Sequence, residues 1–295
     1  MSKLLDPQIL LSIKNLQLAA KTTIDSFMMG INKSSVKGQG LEFSQYRTYE
    51  KGDDLRWLDW KMYARSDRYY IRESEVDTSI SVRFLIDASN SMNHTDKGFR
   101  KIDYAKYLAA SLGYLANSQG DAIGLYVFQN GEIFTLPTRK DTQHTKRFFH
   151  QLESIEPKGT FTEPVHYKNI IGGNKKRELL VVITDFYQKN DEIISLLNNL
   201  SAYKNEVIVL HLMSDNELNF NYDGYAILED LETGQTINIG NTSAKTQYSE
   251  RLQEYLANIR QQLLNKNIVY RLMNTAQPIE KALKDFLNQR HKLTR

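Results

Sequence analysis

The sequence predicts an α/β protein, a mostly parallel sheet flanked by helices in a Rossmann-like alternation, with an N-terminal extension and a β-hairpin insertion. Three observations predict it. Short and almost wholly apolar runs at Val82–Ile86, Glu178–Thr184 and Val207–Met213 have strand length and the composition of strands covered on both faces. Longer amphipathic stretches separate these runs, as parallel crossovers require. Asp87 and Asp185 directly follow two of the runs, at the strand ends where open parallel sheets bind ligands.

The chain opens with a helical apolar rhythm over Met1–Phe27 (Leu4, Leu5, Ile9, Leu10, Ile13, Leu16, Leu18), broken by Asp6, Lys14, Lys21 and Asp25. Such a segment is neither a signal peptide nor a membrane span. No run of about 18 apolar residues occurs there or later, so a protein with no membrane span, in the cytoplasm, is expected. Gly30–Gly40 reads as a loop, and residues 41–80 are dense in aromatic and charged side chains, ending in an alternating strand-like stretch, Arg68–Val76. Residues 1–80 are therefore read as an N-terminal unit and 81–295 as the α/β domain.

Within that domain a helix is predicted from about Ile102 to Asn117, then a strand pair, Ala122–Phe128 and Ile133–Leu136, around the hairpin signal Asn130-Gly131. Helices follow at about Thr142–Ile155 and Asp191–Tyr203. An acidic, glycine-containing insertion at about 215–245 carries Glu232-Thr233-Gly234-Gln235, which reads as the turn of an exposed hairpin. The alternation resumes with a helix at Ser249–Leu264, a strand at Ile268–Met273 and a helix at Pro278–Asn288, where proline suits the first turn.

Composition narrows the function classes. Hydrophobic residues at 41% and charged residues at 25% describe an ordinary folded protein. A net charge of +3 is too small to advertise a nucleic-acid binder, and the absence of cysteine excludes disulfides, zinc thiolates and thiol nucleophiles. In Arg47–Arg65 the acids Asp53, Asp54 and Asp59 can pair with Arg47, Arg56 and Arg65, so a salt-bridged brace holding Trp57 and Trp60 against the α/β domain is expected rather than a nucleic-acid surface.

The chemistry concentrates at Asp87-Ala88-Ser89-Asn90-Ser91. An Asp-x-Ser-x-Ser turn can simply cap the next helix. Two further residues make a cation site the sharper reading: Thr160, in the polar loop Lys158–Thr162, and Asp185 can both reach the same sheet edge. Asp87, Ser89, Ser91, Thr160 and Asp185 form an all-oxygen set suited to Mg²⁺, or to Mn²⁺ or Ca²⁺. Neutral hydroxyls leave a bound cation with unspent positive charge, which favours an anionic ligand.

These five residues match the metal-ion-dependent adhesion site of von Willebrand factor A domains, and the resemblance implies a von Willebrand factor A-like fold whose missing ligand is a carboxylate of a partner or client protein. Tyr46-Arg47, Lys51-Gly52-Asp53-Asp54-Leu55-Arg56-Trp57-Leu58-Asp59-Trp60, Ala64-Arg65 and Glu229-Asp230-Leu231-Glu232-Thr233-Gly234 also resemble the bacterial family known as domain of unknown function fifty-eight. That resemblance implies a MoxR-type AAA+ ATPase as partner, in a chaperone-like or protein-assembly role, and no enzymatic activity. The alternative is a Mg²⁺-dependent hydrolase, a phosphatase or nuclease, using Asp87 or Asp185. Ser89 stands where a dehalogenase-like phosphotransferase needs its second aspartate, and no residues have the spacing of a phosphate-binding loop.

Overall fold

A computed structural model describes residues 15–34, 45–50, 58–73, 79–162, 177–188, 191–202, 205–220, 226–239 and 242–294. The chain divides into two units, one of Phe27–Thr78 and one of Ser79–Arg295 together with the chain up to Ser26.

In the smaller unit, β1 (Gln45–Thr48) pairs antiparallel with β2 (Tyr70–Glu73). A short helix, Trp60–Ser66, starts where the Asp59 carboxylate accepts from the backbone N–H groups of Lys61 and Met62. It stops at Asp67, which takes a left-handed φ of 52°. Within this unit Trp60 meets Tyr63 edge to face, ring centroids 6.2 Å apart, and is otherwise 62% exposed, and Arg65 is exposed too. Trp57, Asp53, Asp54 and the side chain of Arg47 lie outside the described residues.

The larger unit contains the sheet. Its strands are β3 (Ser81–Asp87), β6 (Ala122–Gln129), β7 (Glu132–Arg139), β8 (Leu179–Thr184), β9 (Glu206–Met213) and β12 (Val269–Asn274), in the order β12-β9-β8-β3-β6-β7, while β4 (Thr95–Asp96) and β5 (Phe99–Arg100) form a short antiparallel pair of their own after β3. All neighbours are parallel except β6 and β7, a hairpin whose turn residues Asn130 and Gly131 both have positive φ. β7 continues past Pro137 to Arg139, three positions beyond the expected end at Leu136, because an edge strand can spare one donor. The α/β class with a mostly parallel, helix-flanked sheet is thus as predicted.

Successive side chains alternate between the two faces. Leu85 and Val182 join a core with Ile193 and Leu197 of helix Glu192–Ala202 and with Ile259 and Leu263 of helix Thr242–Leu264. Phe84 packs instead on Phe148 of helix Thr142–Glu153, ring centroids 5.5 Å apart. Helix Lys101–Ser118 is buried along most of its length, and the hydroxyl of its Tyr107 meets that of Thr23 at 2.8 Å. The insertion supplies a two-stranded hairpin, β10 (Ala226–Glu229) with β11 (Thr236–Ile239). Helix Thr242–Leu264 starts seven residues earlier than apolar spacing suggests, since its first turns are polar. Among the described residues no helix is long and apolar enough to cross a membrane.

The order places β3 and β8 side by side. The chain leaves β3 for β6 on one side and later returns to β8 on the other, so the carboxyl ends of β3 and β8 flank the topological switch point of the sheet.

Candidate metal centre

Asp87 is the last residue of β3, and Asp185 immediately follows β8, whose Ile183 lies in register with Ile86. Parallel pairing therefore delivers both carboxylates to one crevice. Both residues are buried, as are Ser89 and Ser91.

A run of hydrogen bonds through the Asp87–Ser91 turn joins them. The Ser89 and Ser91 hydroxyls are 3.0 Å apart, and the Ser91 hydroxyl donates to Asp185 Oδ1 at 3.1 Å. Asp87 is held from behind: Oδ1 accepts the backbone N–H of Ser89 at 3.0 Å, and Oδ2 accepts the Thr184 hydroxyl at 2.7 Å. Ser89 precedes the 3₁₀ turn Asn90–Asn93 without donating or accepting a capping bond through its side chain, so the simple helix-cap reading does not account for it.

Thr160 arrives by a different route. Its loop is stitched to the Asp87–Ser91 loop by Lys158 N–H to Ala88 O and Asn90 N–H to Gly159 O, each 2.8 Å. Gly159 has φ +69°, and a Cβ there would meet the Asn130 side chain at 2.3 Å, so glycine is needed to bring Thr160 in beside the crevice. Thr160 itself remains partly exposed. Asp87, Ser89, Ser91 and Asp185 are thus brought together, with Thr160 on the adjoining loop.

Four residues outside the sequence expectation join the centre. Lys101, nearly fully buried at the start of helix Lys101–Ser118, donates to Asp185 Oδ2 at 3.0 Å and to Glu217 Oε1 at 2.7 Å. Thr184 positions Asp87, as above. The fourth is Glu232 of the hairpin turn, whose carboxyl stands within hydrogen-bonding reach of Ser89 and feels the charges of Asp87 and Asp185. Glu232 as a whole is half-buried, yet its Oε1 is removed from solvent and has no hydrogen-bond partner among the described residues.

The electrostatics follow from this crowding. Burial, and then the charge of Asp185, pushes the Asp87 carboxyl up to about 7 despite bonds from Ser89 and Thr184. Burial would raise Asp185 as well, but the Lys101 ammonium overrides it and holds Asp185 below the usual range. Burial acts to lower Lys101, and the charges of Asp185 and Glu217 outweigh it. Burial drives Glu232 up to about 7, with Asp87 and Asp185 adding to the effect. His211 is a satisfied core residue: its ring contacts Tyr270 Oη at 2.9 Å and Asp185 O at 3.1 Å, and burial lowers it to about 4.

These residues fit a divalent cation on two grounds. Buried negative charge exceeds what Lys101 neutralises, and Glu232 Oε1 is an orphaned buried acceptor, a costly state unless a proton or cation answers it. The donor set is hard oxygen throughout. Among the described residues no three His, Cys, Asp or Glu side chains gather as a ready-made cage, so the hydroxyls are essential to the set.

Comparison with known proteins adds relatives. The model of a family described as "Protein of unknown function DUF58" matches residues 45–258. Uncharacterized proteins of Mycobacterium bovis and Mycobacterium tuberculosis are 23% identical over 232 residues, covering 78% of this chain and 73% of theirs. Among solved structures, a conserved hypothetical protein BatB from Bacteroides thetaiotaomicron is similar at 20% identity and TM-score 0.47, over 72% of this chain and 100% of that one. An aerotolerance-related membrane protein from Bacteroides fragilis gives 21% identity and TM-score 0.48 with the same coverage. The von Willebrand A domain of SpRpn10 gives 11% and 0.41, over 72% of this chain and 95% of that one.

Proposed function

This chain belongs to the DUF58 family, and from that premise we propose that it is a metal-dependent protein-binding module of the cytoplasm that works with a MoxR-type AAA+ ATPase in a chaperone-like or protein-assembly role. The observation that carries the reading is the buried cluster at the switch point of the sheet, where Asp87 accepts the Ser89 backbone N–H and the Ser89 and Ser91 hydroxyls lead on to Asp185. The partner class rests on the family resemblance of the Tyr46–Arg65 and Glu229–Gly234 segments.

The division of labour follows from the bonds. Asp87 and Asp185 each spend their oxygens on Ser89 N–H, Thr184, Ser91 and Lys101, so they orient hydroxyls and supply charge from behind. Ser89 and Ser91 present neutral donors at the front. Thr160 is partly exposed on a loop held by backbone bonds to the Asp87–Ser91 loop and by Phe161 packed on Phe128, and is the outermost of the donors that meet an arriving partner. A bound Mg²⁺ would supply an electrophilic point for a partner's carboxylate. Lys101 keeps Asp185 ionised and fixed in either case.

A pull-down of the cognate ATPase tests this, comparing Mg²⁺ with EDTA and wild type with Thr160→Ala. Recovery should fall with chelator and with the substitution. Equal recovery in all four arms refutes metal-bridged recognition. One observation favours a hydrolase instead: a carboxyl at about 7, as Asp87 is without a cation, suits a general base. A neighbouring cation would return Asp87 to its ionised, bond-accepting form, which is why binding is preferred. Phosphatase or nuclease activity that disappears in Asp87→Asn would reverse that preference.

A further inference from the structure

The hairpin insertion reads from sequence as an exposed decoration, yet its turn enters the candidate centre. Asp230 Oδ1 accepts the N–H groups of Glu232 at 2.8 Å and Thr233 at 3.2 Å, while Oδ2 accepts the hydroxyls of Thr233 and Tyr187, each at 2.5 Å. Tyr187 in turn donates its backbone N–H to Asp185 Oδ1 at 3.2 Å. The turn is therefore fastened to the loop that carries a candidate ligand. Gly234, at φ +69°, lets the chain turn away after Thr233.

That fastening leaves Glu232 pointed inward. Leu231, Thr233, Gly234 and Gln235 are exposed around it, whereas Glu232 Oε1 is buried and, among the described residues, without a hydrogen-bond partner, its carboxyl lying near Ser89. A carboxylate oxygen removed from water without a donor is destabilising, because it gives up its hydration for nothing in return. Glutamate on a surface turn has an easy alternative, rotation into solvent. Its inward placement among like charges calls for a proton or a cation there, and a cation would answer Asp87 and Asp185 at the same time.

We propose that Glu232 is the chain's own carboxylate ligand for the cation of this centre, filling from within the position that a partner's acidic side chain takes on binding. The inference rests on the metal reading above and deepens it. In the isolated protein the hairpin turn then closes the site, and a partner acid engages by exchanging with Glu232. Tyr187 and Asp230 link that exchange to the Asp185 loop.

The test uses the full chain and Mn²⁺ as probe, in wild type, Glu232→Gln, Glu232→Asp and Asp87→Asn, reading affinity by calorimetry, the hydration of bound Mn²⁺ by water-proton relaxation, and thermal stability in EDTA. Asp87→Asn should lose binding. Glu232→Gln should bind about tenfold more weakly, the scale seen when groups supporting a metal site are removed, with relaxation enhanced by an extra water. It should melt no lower than wild type in EDTA, since an unpartnered charge has gone. Glu232→Asp keeps the charge but is one methylene short, and should weaken binding too. Wild-type affinity and hydration in Glu232→Gln, with binding lost in Asp87→Asn, would overturn this inference and leave the metal reading standing. Wild-type affinity in Glu232→Asp would overturn it as well, because the charge would then act at a distance. No Mn²⁺ binding by wild type, or full binding by Asp87→Asn, would overturn both.

Discussion

Replacing Asp87 by Asn should stabilise the cation-free protein at alkaline pH, although Asp87 sits at the heart of the centre. The carboxyl is held from 3.8 up to about 7 by burial and by Asp185. Its proton is thus bound more tightly in the folded than in the unfolded chain. The associated stability is fully present below pH 4 and is lost as pH rises towards 7. At about 1.4 kcal/mol per unit, carrying that charge at pH 8 costs on the order of 4 kcal/mol. Asparagine removes the charge and gives up one charge-assisted hydrogen bond, from Ser89 N–H or from Thr184, at a cost of about 1.5–2 kcal/mol. Urea unfolding in EDTA should therefore find Asp87→Asn roughly 2 kcal/mol more stable than wild type at pH 8 and roughly 2 kcal/mol less stable at pH 4, where the wild-type carboxyl is protonated and only the lost bond counts. Saturating Mn²⁺ should reverse the order at pH 8, because a ligand that binds only the folded wild type stabilises it by mass action. A variant destabilised equally at both pH values in EDTA would refute the reasoning, since Asp87 would then be a satisfied carboxylate with no call for a cation.

Two further perturbations probe the supports of the centre. Lys101→Met leaves Asp185 and Glu217 facing each other without their ammonium, and should cost about 3–5 kcal/mol in urea unfolding at pH 8; a loss below about 1 kcal/mol would mean that water neutralises those carboxylates adequately. Tyr187→Phe removes the 2.5 Å bond to Asp230, and amide hydrogen exchange at Glu232 and Thr233 should speed up while global stability changes by about 1 kcal/mol; unchanged exchange would show that the turn does not depend on that tether.

The parts of the fold that were legible are those specified locally. Apolar runs such as Leu179–Thr184 can only be buried strands at that length, and Asn130-Gly131 fixes a hairpin by its positive φ values. Asp87, Ser89 and Ser91 were legible because they follow such a run directly. Lys101 and Thr184 were not, since their partners at the centre lie 84 and 97 positions away and a lysine opening a helix carries no mark of burial. Glu232 was hidden by its company. A turn of Thr, Gly and Gln reads as solvent-facing, and only the tethering of Asp230 by Tyr187 shows that one side chain of the turn faces in.

The balance of charge decides what kind of partner contact the centre can make. Asp87, Asp185, Glu217 and Glu232 bring four carboxylates, and Lys101 answers with one ammonium. A divalent cation would nearly neutralise the group. Simply adding a partner's carboxylate would rebuild the like-charge crowding that already disfavours ionisation of Asp87 and Glu232. Exchanging Glu232 for the partner's acid leaves the balance unchanged, so exchange is favoured over addition. The net gain is then only the difference between two carboxylates on the same ion. Affinity and discrimination must therefore come from the surface around the site, with the hydroxyls of Ser89, Ser91 and Thr160 setting where the acid lands rather than how tightly the complex holds.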